Sequence, residues 1–248
     1  MPEPILVTES LHKNFAALIA TDCFSLEIMP GGIHAIIGPN GAGKTTLINQ
    51  LSGMMKPDSG RIRFAGQDVT DLAAPARVRL GLVRSFQITS ILRDFSVLDN
   101  VALAIQAGQG NSFRFWAKAV LDPTLREPAR ALLDGLDLGA RNDVRSGELA
   151  HGEQRQLEIA MALATNPKML LLDEPMAGMG PEESARMTEY LAGLKGRITM
   201  LLIEHDMDAV FALADRITVL VYGRAIATGT PDAIRADGEV RRAYLGDA

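Results

Sequence analysis

The chain has 248 residues, of which 47% are hydrophobic and 22% are charged, and its formal net charge is −5 at pH 7. This length can bury a large core as one elaborated domain or as two, and the composition is that of an ordinary globular protein. The acidic balance argues against a dedicated nucleic-acid-binding protein, which carries a basic domain or stripe.

The N-terminus and the apolar runs bear on targeting and on membrane crossing. The N-terminal residues 1–10 lack a basic segment followed by an apolar run, so we expect no signal peptide. Apolar runs such as 169–172 and 200–203 are too short to span a bilayer, and we expect that the chain does not cross a membrane by itself. The one cysteine, Cys23, cannot form an internal disulfide, which fits a reducing compartment. We expect it to be a buried structural thiol.

The first elements lead to a glycine-rich loop. Residues 4–7 and 25–28 are predicted as short strands. Phe15 lies between them, where an aromatic ring could stack on a nucleotide base, although a lone Phe belongs more often to a core. The apolar residues 34–37 are predicted as a buried strand, and a helix is predicted to begin at 45–51.

The loop between that strand and that helix matches G-x-x-x-x-G-K-[ST], the phosphate-binding loop, in the strand–loop–helix setting that the motif requires. Its glycines allow a tight bend whose N–H groups surround phosphate oxygens at a helix N-terminus. Lys44 can reach the β- and γ-phosphates, and the Thr45 hydroxyl can hold Mg²⁺. The predicted nucleotide-binding residues of this loop are Gly38, Pro39, Asn40, Gly41, Ala42, Gly43, Lys44, Thr45 and Thr46.

A predicted helical insertion follows two further strands. Residues 60–64 alternate as a strand does, and 81–87 are predicted as a strand that ends at Gln87. The Gln87 side chain could ligate Mg²⁺ or position a water, but a lone Gln at a strand end has no meaning by itself. Beyond it, helices are predicted over 98–107, after a capping box, and over 124–136. We therefore interpret about residues 88–164 as a helical insertion within an α/β core.

Two carboxylates follow the next predicted strand. Residues 169–172 are apolar without alternation, as in a parallel sheet, and lead directly into Asp173 and Glu174. Open α/β sheets place their ligands at this end of the strands. Asp173 has the form of an aspartate that holds Mg²⁺, and Glu174 suits a general base that deprotonates the attacking water. Without the upstream loop, an acidic turn would be an equally good interpretation.

A third strand end carries a histidine. After a helix predicted over 181–195, the strand 198–203 leads into Glu204 and His205. A lone histidine there is usually structural, but in an ATPase it could contact the γ-phosphate or align water and base. The remaining predicted elements are a helix over 207–214, strands near 217–221 and 225–228, and short helices near 231–235 and 239–244.

One more motif separates this chain from other proteins with a phosphate-binding loop. Residues 149–155 read L-A-H-G-E-Q-R and precede L-L-L-D-E-P at 170–175. Together with the preceding motifs they resemble the nucleotide-binding subunit of an ABC transporter, whose signature motif is usually written LSGGQ. The signature residues implied to bind nucleotide are Leu149, Ala150, His151, Gly152 and Glu153.

The resemblance covers nearly the whole chain and implies a fold, cofactors and roles. The fold is an α/β P-loop NTPase core, RecA-like, with a mainly parallel sheet, an antiparallel β subdomain and an inserted α-helical signature subdomain. It implies one ABC ATPase domain over 1–248, with a core lobe of about 1–87 and 165–248 and a helical subdomain of about 88–164. ATP and Mg²⁺ are the implied cofactors. Phe15 would stack on adenine, Gln87 would be the Q-loop residue, and His205 would be the switch histidine.

The family also implies partners. Two ATPase subunits, identical or different, would form a head-to-tail dimer in which ATP lies between one loop and the other subunit's signature motif. Transmembrane permease subunits and, indirectly, a periplasmic solute-binding protein would complete the assembly, with no nucleic acid. The chain would then be cytoplasmic, peripheral on the cytoplasmic face of the inner membrane.

This chain departs from the family pattern in three places. Ala150 replaces the serine whose hydroxyl would bond the γ-phosphate, and one hydrogen bond to a charged group contributes about 1.5–3 kcal/mol. His151 replaces the first signature glycine. The family often has an aspartate shortly after the carboxylate pair that corresponds to Asp173 and Glu174. That aspartate is missing from 177–181, where the sequence is A-G-M-G-P.

The finer resemblance is to the ATPases of branched-chain amino acid importers and of related amide or urea importers. It rests on A-H-G-E-Q-R-Q-L-E-I-A at 150–160, on 177–181, and on G-T-P at 229–231 with Y-L-G at 244–246. ATPases of lipopolysaccharide export share much of this pattern. A soluble ABC ATPase is an alternative, but the long coiled coils, zinc inserts or second ATPase half of such proteins are missing from the sequence. A kinase would have no use for the signature helix.

Overall fold

The computed structural model describes residues 3–85, 91–109 and 122–245. Its larger sheet has six strands, and neighbouring strands are parallel except for the antiparallel pair of β9 and β10 at one edge. In spatial order they are β10 (Arg224–Gly229), β9 (Arg216–Val221), β3 (Ile33–Ile37), β8 (Thr199–Ile203), β7 (Met169–Asp173) and β6 (Leu82–Arg84).

The smaller sheet is antiparallel. Its strands, in spatial order, are β2 (Leu18–Ile28), β1 (Leu6–Phe15), β4 (Ser59–Phe64) and β5 (Gln67–Asp68). A mainly parallel sheet accompanied by an antiparallel one confirms the predicted fold class.

Most helices occupy the connections between strands. The α-helices are α1 (Lys44–Ser52), α2 (Ala74–Leu80), α3 (Val97–Gly108), α4 (Pro123–Gly135), α5 (His151–Ala164), α6 (Pro181–Gly193), α7 (Met207–Leu213), α8 (Pro231–Ala236) and α9 (Gly238–Val240), with a π-helical turn at Arg241–Leu245. Three of them, α3 to α5, lie between β6 and β7 in sequence, where the helical insertion is predicted. In the described ranges, every helix falls short of the length and apolarity needed to span a bilayer.

Two hydrophobic cores cover the two faces of the larger sheet. Leu170 and Leu172 point into the core with α3 to α7, whereas Met169 and Leu171 point into the core with α1 and the antiparallel sheet. Every residue of β3, β7 and β8 is buried as a result. Burial on both faces is the reason that these strands are apolar without alternation.

The first two strands are longer than predicted. Residues 4–7 and 25–28 were expected as short strands, but β1 and β2 pair over almost their whole lengths as a hairpin that ends at Phe15 and Leu18. Their register shifts three times, at bulges between positions 8 and 14 of β1. A bulge breaks the period-two alternation, which conceals a strand from pattern reading.

The expectation of a buried thiol at Cys23 is wrong, because Cys23 is exposed. Between the pairs Leu11–Phe24 and Lys13–Thr21, one residue of β1 opposes two of β2, and Cys23 adopts a positive φ of 49°.

That bulge places His12, Asp22 and Cys23 with potential metal-ligating atoms within 4.8 Å of one another. The Asp22 carboxylate already accepts hydrogen bonds from Nε and Nη2 of Arg224 at 2.7 and 2.6 Å, so a guanidinium supplies the positive charge beside it.

The strand predicted over 81–87 is shorter in the structure, and a helix precedes it that the sequence analysis did not anticipate. β6 ends at Arg84, where its pairing with β7 ends, although the N–H of Ser85 still donates to the Leu171 carbonyl at 2.9 Å. The unanticipated helix α2 carries the buried Arg77. The other predicted helices and strands are confirmed to within a few residues at their ends.

Candidate nucleotide-binding and catalytic site

The phosphate-binding loop connects β3 in the centre of the larger sheet to α1. Gly43 precedes the helix with φ 103°, and a Cβ there would overlap the carbonyl oxygen of Ala20. Only glycine allows this backbone conformation beside the antiparallel sheet without displacement. Asn40, Gly41 and Thr45 are exposed around the loop. The predicted loop residues therefore form one open turn at a helix N-terminus, a setting that binds anions.

Lys44 lies over this loop. Its Nζ donates hydrogen bonds to the carbonyl oxygens of Gly38 and Pro39, the latter at 3.0 Å. Burial lowers the pKa of Lys44, and the charges of Glu174 and Asp173 act in the opposite direction. Both carboxylates thus favour the charged ammonium group, and phosphate oxygens are the natural replacement for the two carbonyl acceptors.

Asp173 ends β7 with its side chain only 2% exposed. Its Oδ2 accepts a hydrogen bond from Nη2 of Arg84 at 2.7 Å, and Nη1 of Arg84 donates to Asn49 Oδ1 at 2.6 Å. Arg84 ends the neighbouring strand β6, and Asn49 belongs to α1. Carboxylate oxygen is a ligand that Mg²⁺ prefers, and the exposed Thr45, the second residue of the helix on which Asn49 lies, offers a hydroxyl oxygen. These donors fit a bound Mg²⁺.

Glu174 follows with a strained backbone and a half-exposed side chain. Its φ is 49°, and its N–H donates to the carbonyl oxygen of Ile203 at 2.8 Å. Nη2 of Arg155, in α5, donates to the carbonyl oxygens of Asp173 and Glu174 at 3.0 and 3.2 Å. A left-handed conformation at a non-glycine residue persists when the surroundings hold it, and such residues cluster at active sites.

His205 stands beside Glu174. Its Nδ1 lies 3.8 Å from Oε1 of Glu174 and 3.8 Å from Oε2 of Glu204, and its side chain is 64% exposed. The structure therefore brings Lys44, Asp173, Glu174 and His205 to the carboxyl edge of one sheet.

The signature residues begin α5. Ala150 is the exposed N-cap residue, and its N–H donates to Oε2 of Glu153 at 2.9 Å. This is half of a capping box, because Ala150 has no side-chain oxygen to accept the reciprocal hydrogen bond. Leu149 and Gly152 are buried, and the exposed His151 lies so close to Gly178 that a Cβ at position 178 would approach its ring within 2.9 Å. The histidine in place of the family's glycine thus packs beside the segment that follows Glu174.

Phe15 is 44% exposed at the end of β1, so its interpretation as a core residue is wrong and its ring is available for stacking. Nζ of Lys13 lies 5.8 Å from the ring centroid. Gln87, predicted as a catalytic and metal-binding residue, lies outside the described residues.

A cleft among the described residues lies away from this site. A cleft of about 830 Å³ lies between α4 and α6, lined by Leu132, Gln156, Tyr190 and Arg197 among others. Burial raises the pKa of Tyr190. None of the predicted site residues is among those that line this cleft.

Comparison with known proteins identifies the family. A sequence profile of the ABC transporter family matches residues 21–177. The chain belongs to this family. A second profile, described as branched-chain amino acid ATP-binding cassette transporter, matches residues 226–248 of this ABC ATPase.

Relatives match this ABC ATPase from end to end. The high-affinity branched-chain amino acid transport ATP-binding protein LivG of Escherichia coli K12 is 38% identical over all of both chains, and BraF of Pseudomonas aeruginosa is 35% identical over all of both chains. A solved structure of the ADP conformation of an ATP-binding cassette superposes with a TM-score of 0.83 at 35% identity, covering 98% of this chain and 99% of that one. The chain is therefore a nucleotide-binding ATPase of the ABC type.

Sequence reasoning missed three residues that hold the site in place. Arg84 binds the carboxylate of Asp173, and Arg155 binds the backbone carbonyl groups of Asp173 and Glu174. Glu204 accepts hydrogen bonds from the backbone N–H groups of Met176 and His205. Each stands in or beside a recognised motif, but each has a partner that lies 18 to 89 positions away in sequence. A charged residue in or next to an apolar run was the available signal.

Proposed function

We propose that this chain is the ATP-binding and ATP-hydrolysing subunit of an importer that energises uptake of branched-chain or other hydrophobic amino acids across the inner membrane. The observation that carries the hydrolytic part is the 3.8 Å separation of Glu174 and His205 beside Lys44 and Asp173. The phosphate-binding loop alone would account for nucleotide binding. Hydrolysis also requires a base, which the Glu174 carboxylate supplies at the same edge of the sheet.

The roles divide among the loop and the strand ends. The loop residues 38–46 bind the phosphates through backbone N–H groups and Lys44. Glu174 accepts a proton from the attacking water, and His205 holds the water and the base in line with the γ-phosphate. Phe15 stacks on the adenine, and the predicted role of Gln87 stands as a prediction from sequence.

Thr45 and Asp173 would hold Mg²⁺, with Gln87 as a further predicted ligand. When bound, the ion neutralises charge on the β- and γ-phosphates. In the structure Arg84 binds the Oδ2 atom of Asp173, so this carboxylate is oriented at the edge of the sheet by a side chain of the neighbouring strand.

The signature residues act on a second nucleotide. In our proposal α5 directs its N-terminus, at Ala150 to Glu153, toward an ATP bound by the loop of another ATPase subunit. ATP then holds the two subunits together in a head-to-tail dimer, either of two copies or with a related chain, and hydrolysis weakens it.

Permease subunits are the second class of partner, and a periplasmic solute-binding protein is the indirect third. In the family that this chain resembles, the region after Gln87 takes the coupling helix of the membrane subunit, and four apolar residues there could serve this docking or belong to the core: Ile88, Ile91, Leu92 and Phe95. Ile91 is buried and belongs to the core. Leu92 and Phe95 are 45% and 42% exposed, which supports docking of a membrane subunit there. Ile88 lies outside the described residues. A peripheral position on the cytoplasmic face of the membrane follows from this docking.

The proposed solute class rests on similarity. Full-length identity to LivG and BraF and the profile match at 226–248 favour branched-chain amino acids. Within the matched segment, burial raises the pKa of Tyr244, and the backbone of Gly38 acts in the opposite direction.

Replacing Glu174 tests the hydrolytic role. Glu174→Gln should bind ATP with unchanged affinity, lose about 10²–10⁴-fold in turnover and accumulate an ATP-bound dimer, because the amide cannot accept the proton of water. Calorimetry, phosphate release and size-exclusion chromatography measure the three effects. Glu27→Gln, at an exposed position of β2, is the control and should behave as wild type. Unchanged turnover of Glu174→Gln would remove Glu174 as the base.

Uptake by cells tests the solute class. A strain lacking this chain should lose uptake of radiolabelled leucine, isoleucine and valine, and the wild-type gene but not Glu174→Gln should restore it. Uptake of urea and acetamide is measured beside it. Loss of only urea or amide uptake would move the chain to that importer class.

A further inference from the structure

Glu204 is a buried carboxylate that the proposed mechanism leaves without a role. It follows β8 directly, and its side chain is 1% exposed. Oε1 accepts a hydrogen bond from the N–H of Met176 at 2.9 Å, and Oε2 accepts from the N–H groups of His205 at 3.0 Å and Asp206 at 3.4 Å. One side chain thus binds the backbone of two separate strand ends.

A carboxylate at such a depth is costly unless donors surround it. Three backbone N–H groups compensate for the lost water here, so the group is satisfied without a cation. An apolar side chain of similar size would leave those N–H groups unpaired, at about 1–3 kcal/mol for each buried donor. The hydrogen bonds to the two segments therefore compensate for the burial of the Glu204 carboxylate.

Both segments carry groups of the proposed reaction. Met176 lies two residues after Glu174, whose φ of 49° needs restraint from its surroundings. The second segment begins with His205, whose Nδ1 lies 3.8 Å from both Glu174 Oε1 and Glu204 Oε2. The Glu204 carboxylate therefore links the backbone of the two segments that carry Glu174 and His205.

We propose that Glu204 is a positioning residue for ATP hydrolysis, which sets the distance between Glu174 and His205 without touching the nucleotide. This inference rests on the proposed roles of Glu174 and His205. Catalytic groups must be held in a narrow range of geometry, and a displacement of about 1 Å can cost about 10²-fold in rate. The effect of losing Glu204 therefore falls on turnover rather than on nucleotide binding.

The test uses the full chain with Glu204→Gln, which keeps the length of the side chain but replaces one acceptor oxygen by a donor. We expect kcat to fall about 10- to 100-fold, with KM for ATP within about threefold of wild type. Asp215→Asn is the control, because Asp215 also binds backbone: its Oδ2 accepts the N–H of Ile33 at 2.8 Å at the opposite edge of the same sheet. Asp215 is half-exposed and also pairs with Lys195, and it lies outside the proposed site. The kcat of Asp215→Asn should stay unchanged at a temperature well below unfolding.

A double-mutant cycle separates positioning from general loosening of the structure. If Glu204 acts through Glu174, adding Glu204→Gln to Glu174→Gln should not lower the residual single-turnover rate further. Additive losses, a raised KM with unchanged kcat, or an unchanged kcat would overturn the inference. Full turnover of Glu174→Gln alone would instead overturn the proposed function.

A second variant covers the case in which Glu204→Gln does not fold. Glu204→Asp keeps the charge but is one methylene shorter, so it cannot reach Met176 and His205 together. We expect it to fold and to show the same selective loss of kcat. Wild-type turnover in Glu204→Asp would overturn the inference.

Discussion

Arg77 is a buried charge that is satisfied by backbone atoms of neighbouring elements. Arg77 is 1% exposed and donates to the carbonyl oxygens of Gln50, Leu51, Thr70 and Leu72 at 2.7 to 3.1 Å. Two of these oxygens belong to the last turn of α1, where a cation is favoured by the helix dipole. Burial lowers the pKa of Arg77 to about 10, so it still carries its charge at neutral pH.

His34 is the residue from which we predict a pH dependence of stability. It is buried in β3, its Nε2 lies 2.8 Å from Thr218 Oγ1, and burial together with the charge of Arg216 lowers its pKa to about 4. The unfolded chain binds this proton near pH 6.5, so the folded state loses stability as pH falls from about 6.5 to about 4. The maximum loss is about 3 kcal/mol.

Urea unfolding at pH 7, 6, 5 and 4.5 checks this prediction. The histidine contribution is missing from His34→Gln, so its stability should fall less over this range than that of the wild type. The difference between the two proteins should change by about 2–3 kcal/mol between pH 7 and 4.5. A difference that stays constant with pH would show that His34 does not cause the loss.

At the scale of elements, the phosphate-binding loop is shaped by what lies behind it. Gly43 touches the carbonyl of Ala20 in β2, and the N–H of Gly223, in the β9–β10 turn, donates to the Ala42 carbonyl at 2.9 Å. The loop therefore packs against strand β2 and against the β9–β10 turn. Gly41 has a positive φ of 80° as well, but a Cβ there would meet nothing within 4 Å.

Two glycine variants separate these effects. Gly41→Ala should lose about 1–2 kcal/mol of unfolding free energy, which is the cost of a left-handed residue alone. Gly43→Ala should lose more unfolding free energy, because its Cβ would also overlap the carbonyl oxygen of Ala20. Overpacking of this kind costs about 1–3 kcal/mol in addition. Urea unfolding of the two proteins measures the difference, and equal losses would mean that the loop moves freely away from β2.

At the scale of the whole molecule, the exposed N-terminus of α5 is the surface that the proposed dimer needs. Ala150 has a capping backbone conformation, with φ −61° and ψ 160°, but no side-chain acceptor. A serine there would cap the helix and also offer a hydroxyl to a nucleotide of another subunit. The two effects predict gains of about 1 kcal/mol in stability and about 1.5–3 kcal/mol in dimer affinity.

Ala150→Ser in the Glu174→Gln background should therefore lower the dissociation constant of the ATP-bound dimer by about 10-fold or more, measured by analytical ultracentrifugation. Ala73→Ser is the matched control, because Ala73 is likewise an N-cap without a side-chain hydrogen bond, at α2. It should gain stability but not dimer affinity. Equal dimer affinities for Ala150→Ser and its parent would show that backbone donors suffice.

The sequence by itself determined the parts of this protein that lie within a few residues of each other. The loop at 38–46, the carboxylates after β7 and the histidine after β8 are local patterns, since a buried strand and the polar residues at its end are contiguous. Parallel strands bring their carboxyl ends to one edge, so the meeting of these groups could be inferred from sequence. The family was recognisable for the same reason.

Only the tertiary structure decided how those groups are held. Arg84 reaches Asp173 across 89 positions, and Glu204 reaches Met176 across 28. The bulges that conceal β1 and β2 and the exposed thiol of Cys23 also depend on pairing between strands. Hydrogen bonds and register between distant segments leave no periodic trace in a single sequence, because they depend on which surfaces the folded chain brings into contact.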